Sequence, residues 1–558
     1  MDILFLLKLT LKFVFEGILQ NVKVYSHNIL KHLQIQFGIR TKMSKSKTFI
    51  INLTAQILSF AVSMGISFFL SPFIVKNVGS ETYGFVSLGN NFISYVTLLT
   101  GTINSMASRF VTIEFAKKDY LKANQYFSSV FVANAAMSLI LLIPAVLVVV
   151  FIDSIVNIST EIVSDVRALW AILFLQFFIG LLFNIFSVAT FATNRLYLSS
   201  IQTIIGQCIR ALIIILCYSF FPTHIWYIGI ASISVTVYTS LINYWYTKKL
   251  TPQLKVKRHL FSFVHIKEIF LSGIWNSISS LGSILLEALD LLIANLFVGE
   301  TAMGILSVSK TIPSAVSSLI GTIVNIFVPG LTIDFAKNEF LSIKRQITFS
   351  MILCGFVTCL PISVLVVLGN EFYSLWQPTL DAKVLQTLSI LTVSGFMVSG
   401  TINVIFNIFT VTNKVKIPAL VQIASGVVNT ITVLVLVNVT DLGIYAVAGV
   451  SSIVAILKNL IVIVPYASKC LNFKVTVFYP QIVKCILSIL TSIAIGFIVT
   501  FPFNINNWVE FILFAIIVVV VSSIVYLLIC TNKNDRKTIV NYVKNILISF
   551  GEKVKSEE

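Results

Sequence analysis

A chain of 558 residues with 57% apolar residues, 11% charged residues and a mean hydropathy of +0.96 lies far outside the balance of a soluble globular protein. The formal net charge of +17 is spread over alternate loops and forms no single basic face, which excludes nucleic acid as a partner. The cysteines at 208, 217, 354, 359, 470, 485 and 530 lie in or beside apolar segments with no CxxC pair, and the histidines all fall outside those segments, so no metal, redox centre or cofactor is expected.

Residues 1–42 open with "MDILFLLKLTLKFVFEGILQ", an apolar stretch broken by Lys8, Lys12 and Glu16 and lacking a small-residue cleavage site, so it is no signal peptide. It reads either as an interfacial helix or, the reading preferred here, as an over-long start, because Met43 opens a short basic leader, "MSKSKTFI". From residue 50 onward, apolar stretches of about 20 residues recur, each long enough to cross a ~30 Å hydrocarbon core as a helix. Strand-period alternation is absent, so the fold expected is an all-α polytopic membrane protein. About fourteen transmembrane helices are predicted, at 50–75, 83–107, 125–151, 167–191, 198–221, 225–246, 269–297, 302–328, 347–369, 384–411, 416–438, 442–465, 480–502 and 508–530.

An even number of spans places both termini on one side. The loops after spans 2, 4, 6, 8, 10 and 12 carry most of the loop Lys and Arg, for example "YTKKLTPQLKVKRHLFSFVHIKE"; the opposite loops carry mainly acids such as Asp153, Glu161, Glu300 and Glu371. The positive-inside rule makes the first set and both termini cytoplasmic. Residues 531–558 read as a basic cytoplasmic tail. No loop is long enough to house a catalytic domain, so no catalytic residue is expected.

The chain repeats itself. A single gapless shift superposes Val78–Leu121 on Val298–Leu341 with sixteen identities in forty-four positions, including "TIEFAKKDYL" on "TIDFAKNEFL". Charged residues recurring in register are not a product of shared hydrophobicity. Farther on, "TNRLYLSSIQTIIG" meets "TNKVKIPALVQIASG" with one inserted residue. Six spans between copies preserve orientation, which predicts two pseudo-symmetric six-helix lobes related by an axis along the membrane normal. The expected division is 43–250 for the first lobe, 251–470 for the second and 471–530 for two additional C-terminal helices.

Polar residues inside the spans point to a cavity between the lobes. In span 7, Asn276, Ser279, Ser283, Glu287 and Asp290 fall at steps of 3, 4, 4 and 3, one face of a helix. Gln56, Ser59, Ser63 and Ser67 form the matching stripe in span 1. Such faces are costly against lipid and suit a hydrated interior. Arg210 at mid-span, and Lys310 with its repeat partner Asn90, add cations and an amide suited to an anionic ligand. The cavity set is therefore Arg210, Lys310, Asn90, Asn276, Gln56 and Ser283, and the acids for ion coupling are Glu287 and Asp290. Structural pairing of those acids with Lys310 stands as the alternative. Lys458, near the cytoplasmic end of span 12, is expected to reach toward the membrane surface.

The stretch "NVGSETYGFVSL", its echo "FVGETAMGILSV" and the "TNR" and "TNK" turns resemble the polysaccharide transport, or O-antigen flippase, family of the multidrug/oligosaccharidyl-lipid/polysaccharide flippase superfamily. The resemblance covers residues 43 to about 470, and the last two spans more loosely. It implies a bacterial inner-membrane flippase that moves an undecaprenyl-pyrophosphate-linked oligosaccharide outward by alternating access for surface polysaccharide biosynthesis. The partners implied are that lipid-linked oligosaccharide, membrane lipids, and a polysaccharide polymerase with its assembly proteins. Lipid II flippases and cation-coupled multidrug exporters of the same superfamily are the alternatives.

Overall fold

A computed structural model describes residues 45–336, 338–501, 503 and 505–531. The expectations for residues 1–42 and for the tail from 532 onward lie outside the described residues. Each of the fourteen expected spans falls within a helical segment or overruns its ends by two positions at most: α1 (Lys45–Val78), α2 (Ser80–Ala116), α3 (Tyr120–Val150), α4 (Val163–Ala192), α5 (Leu196–Phe220), α6 (Trp226–Leu250), α7 (Phe263–Val298), α8 (Glu300–Ser309 continued by Thr311–Ala336), α9 (Phe340–Trp376), α10 (Ala382–Ser394 and Phe396–Val411), α11 (Lys416–Val439), α12 (Ile444–Cys470), α13 (Tyr479–Thr500) and α14 (Trp508–Cys530). Eleven of these are long and apolar enough to cross a membrane, or twelve when the two pieces of α10, bent by 42°, count as one span. The other two, α2 and α6, are 37 and 25 residues long but fall short in hydropathy, so length and composition support eleven to twelve spans and leave the count of fourteen open.

The backbone repeats where the sequence does. Gly79 and Gly299, equivalent positions of the repeat, both take positive φ, at 81° and 125°, and break the chain between α1 and α2 and between α7 and α8. The doubled phrase ends a helix in each copy through a left-handed residue, Lys118 at φ 64° and Asn338 at φ 58°. Lys118 N–H donates to Phe115 O at 3.0 Å and Asn338 N–H to Phe335 O at 3.0 Å. Asp119 N–H reaches Glu114 O at 3.0 Å and Glu339 N–H reaches Asp334 O at 2.9 Å, which covers carbonyls left open at the helix end. Its acids serve locally: Glu114 pairs with Lys117 at 3.0 Å, and Asp334 accepts from Gln346 at 2.6 Å. The phrase is thus a pair of matched helix-to-helix elbows.

The end of the bundle bearing Gly79 and Gly299 is called the upper end below, and the end bearing Lys118 and Asn338 the lower end. Small residues let repeat-related helices touch. A Cβ on Gly304 of α8 would lie 2.5 Å from Ser80 O of α2, and one on Gly84 would lie 3.0 Å from Gly304 Cα. Gly84 and Gly304 are themselves equivalent positions, so the symmetry axis of the repeat passes between them. The two additional helices, α13 and α14, attach to α9: Tyr526 donates to Ile352 O at 2.8 Å beside Gly355. Leu139, Ile143, Phe220 and Ile498 are among the apolar side chains left on the outer face, where lipid supplies their contacts.

Candidate functional site: a central cavity and a side chamber

A cavity of about 1010 Å³ lies between α1, α2, α7 and α8, two pairs of repeat-related helices. From α2 it receives Ser87, Asn91, Ser94, Gly101 and Ser105, positions that recur on one face of the helix. Ser63 and Ser67 of α1 face them, with Ser307 and Ser314 of α8. Of the residues expected at the site, Asn276, Ser283, Glu287 and Lys310 line this cavity. Asn90, Gln56 and Arg210 are not among its lining residues. Asn90 sits one position before the lining residue Asn91, about 100° around the helix. Arg210 stands in α5, which packs on α1 through Tyr218 and Phe73, and its Nε is buried with no hydrogen-bond partner.

A second chamber of about 580 Å³ lies among α7, α8, α10, α11 and α12. Asp290 faces this chamber, with Ser279, Asn403, Gln422, Lys458 and Asn459. The two spaces share Ser283, Glu287, Lys310, Ser314 and Ser318, so the polar stripe of α7 is the wall between them. Lys458 turns into the protein: its Nζ donates to Gln422 Oε1 at 2.6 Å, and Gln422 Nε2 donates to Ser283 Oγ at 3.2 Å. An acceptor at that distance, with Glu287 across the chamber, replaces the route to the membrane surface expected from sequence.

The wall is irregular backbone. α7 contains two π-helical turns, Ile284–Ala288 and Ala294–Val298. Such turns disturb the regular hydrogen-bond ladder and occur most often at functional sites. Side chains from three helices take up the carbonyls of the first turn. Asn91 and Tyr95 of α2 both donate to Ala288 O at 2.8 Å. Asn429 of α11 donates to Leu286 O at 3.0 Å, and Thr430 to Leu285 O at 3.0 Å. Lys310 Nζ reaches Glu287 O at 3.3 Å and Asp290 Oδ2 at 2.5 Å. Asp290, only 1% exposed, is therefore an ion-pair partner, while Glu287 is exposed to both spaces.

The upper end of the cavity is tied shut between the two copies of the repeat. Ser307 donates to Ser87 at 2.6 Å, and Thr301 donates to Glu81; both pairs join positions 220 residues apart. Pro72 of α1 has no N–H to offer Phe68 O, and Trp376 at the end of α9 donates to that carbonyl at 2.9 Å. The Trp376 and Phe68 rings stack at 5.6 Å, backed by Phe372 and Trp508. Asn157, in the loop after α3, and Asn295 of α7 exchange hydrogen bonds of 2.8 and 3.0 Å. In the lower half α2 and α7 also touch: Thr102 and Ser277 share a hydrogen bond of 2.6 Å, and a Cβ on Gly273 would lie 1.9 Å from Thr102 O.

Sequence reasoning missed Asn91, Tyr95, Trp376, Asn429 and Thr430. One signal was available, since a proline inside an apolar span leaves a carbonyl that some donor must meet. The π turns that recruit Asn91, Tyr95, Asn429 and Thr430 leave no mark in composition or periodicity.

The described fold has known counterparts. It matches the lipid II flippase MurJ in an inward closed conformation with a TM-score of 0.63 at 14% identity, covering 86% of this chain and 99% of that one. It also matches an inward-facing multidrug resistance MATE family transporter of the MOP superfamily with a TM-score of 0.60 at 15% identity, covering 76% and 98%. In sequence, the uncharacterized membrane protein EpsK of Bacillus subtilis (strain 168) is 30% identical over 494 residues, 88% of this chain and 97% of that protein. Residues 47–332 match the polysaccharide biosynthesis protein family. The chain is thus a multi-pass membrane protein of the polysaccharide biosynthesis protein family, with the fold of the MOP-superfamily transporters.

Proposed function

We propose that this protein flips an undecaprenyl-pyrophosphate-linked oligosaccharide across the bacterial inner membrane by alternating access, with the first six helices and α7–α12 acting as two lobes and both termini in the cytoplasm. The observation that carries the reading is the central cavity, built between repeat-related helices and lined by hydroxyls and amides. Ser, Asn and Glu side chains can exchange hydrogen bonds with sugar hydroxyls, and Lys310 supplies a cation for pyrophosphate oxygens. The polyprenyl chain stays in the bilayer. A lobe-to-lobe motion fits contacts that are small and polar, hence separable at modest cost. A polymerase and its assembly proteins would consume the product on the outer face.

Cells lacking the protein should accumulate the lipid-linked oligosaccharide in the inner leaflet and lose surface polysaccharide. Asn276→Ala combined with Ser283→Ala should reproduce that loss at normal membrane abundance. Full surface polysaccharide and no accumulated intermediate in the null strain would overturn the assignment.

A further inference from the structure

The second copy of the repeat carries charges that the first lacks: Asp290, Glu287 and Lys310 stand where the first copy has Leu70, Ser67 and Asn90. The Lys310 ammonium is held as a bound metal ion would be. It touches one carboxylate oxygen, Asp290 Oδ2 at 2.5 Å, and one main-chain carbonyl, Glu287 O at 3.3 Å, that belongs to a π turn. Hard monovalent and divalent cations choose the same ligands, carboxylate and carbonyl oxygens around disturbed helix backbone. Here a covalently attached cation already fills the position.

The charge balance points the same way. Asp290 and Glu287 from α7 contribute two negative charges, and Lys310 from α8 and Lys458 from α12 contribute two positive ones; among the described residues, Tyr95 from α2 is the remaining titratable group near Asp290. The cluster is neutral as built, so a further metal ion would add net charge at membrane depth without a counterion. Removing the Lys310 ammonium alone leaves a buried carboxylate, the freed carbonyl and the exposed Glu287 around a vacated position, which is a cation-binding arrangement.

We propose that Lys310 is a specificity-determining residue of the side chamber: its tethered ammonium occupies a cation site at Asp290 and makes the protein independent of sodium. The proposal deepens the transport reading of the chamber wall, yet it is tested by ion binding alone, so loss of the glycan assignment would leave its test intact.

The full-length protein, purified in detergent, is assayed by equilibrium binding of radioactive sodium. The native protein should bind none saturably, Lys310→Ala should bind about one ion per chain, and Asp290→Asn added to Lys310→Ala should abolish that binding. Saturable sodium binding by the native protein that Asp290→Asn removes, or a monodisperse Lys310→Ala protein that binds no sodium, overturns the proposal. Should Lys310→Ala fail to fold, the native protein alone decides: its melting temperature should be equal in sodium chloride and choline chloride of matched ionic strength, and a sodium-specific rise overturns the proposal.

Discussion

The two copies of the repeat share a skeleton and differ in charge. Both break at a positive-φ glycine, Gly79 and Gly299, and both pass their elbow through a left-handed residue, Lys118 and Asn338. At the middle of the bundle the first copy places Leu70 and Asn90 where the second places Asp290 and Lys310. The shared positions are those at which backbone geometry leaves little choice; the differing ones decide what the interior can hold. A symmetric scaffold has thus been given an asymmetric load, with a chamber and all four of its charged groups in the second copy.

Grafting one copy onto the other breaks the comparison most severely. Asp290→Asn leaves the half-buried Lys310 ammonium without its carboxylate and should cost about 1–3 kcal/mol. Asp290→Leu with Lys310→Asn copies Leu70 and Asn90 of the first copy and should recover most of that loss, because a buried ion pair replaced by uncharged residues is close to neutral. Thermal unfolding in detergent reads both effects. A double variant no more stable than Asp290→Asn would mean that the ion pair, and not the stranded charge, sets the stability.

The next test bears on the symmetry axis. Gly304→Ala drives a Cβ to 2.5 Å from the Ser80 carbonyl oxygen, a main-chain atom that moves only with its helix, whereas Gly84→Ala meets the flexible tip of Met303 at 2.8 Å and main chain, Gly304 Cα, only at 3.0 Å. Gly304→Ala should therefore cost about 1–3 kcal/mol and Gly84→Ala clearly less. It should also part α2 from α8 at the upper end, read as faster alkylation of a cysteine placed at Ser87 by a water-soluble thiol reagent in detergent. Equal effects of the two alanines would place the tight contact elsewhere.

What was legible in the sequence follows the same division. Helix positions, the repeat and its elbows were readable because they depend on local apolar runs and on residues such as Gly79 and Asn338 that tolerate unusual backbone. The polar stripe of α7 was readable too, from spacing alone, and four of the residues expected at the site do meet in the cavity. The second chamber was not readable. Glu287 opens on both spaces and Asp290 on the second alone, a difference that arises because the π turn over Ile284–Ala288 alters the helical phase. Arg210 was expected at the cavity from its mid-span depth, but depth does not fix which neighbours a helix faces. Partners from distant helices, such as Asn429 for Leu286 O, are set by tertiary packing that no single-sequence period records.

The smallest expected effect separates two tryptophans that make nominally the same bond. Trp170 donates to Phe85 O at 3.1 Å and Trp376 to Phe68 O at 2.9 Å, each onto the main chain of a neighbouring helix. Phe85 O already has a helical partner, because the residue four positions later is Gly89, which carries an N–H. Phe68 O has none, because that residue is Pro72. Trp→Phe removes the same indole volume and the same donor at both sites, so their difference isolates the orphaned carbonyl. Trp376→Phe should therefore be more destabilising than Trp170→Phe by about 1 kcal/mol, the net worth of a hydrogen bond whose acceptor has no helical donor. Because Trp376 ties α9 to α1 at the upper end, its replacement should also raise alkylation of a cysteine at Ser67 by the same reagent, which Trp170→Phe should leave unchanged. Equal destabilisation by the two variants would show that the Phe68 carbonyl finds a substitute donor and that ring stacking alone holds the upper end of α1.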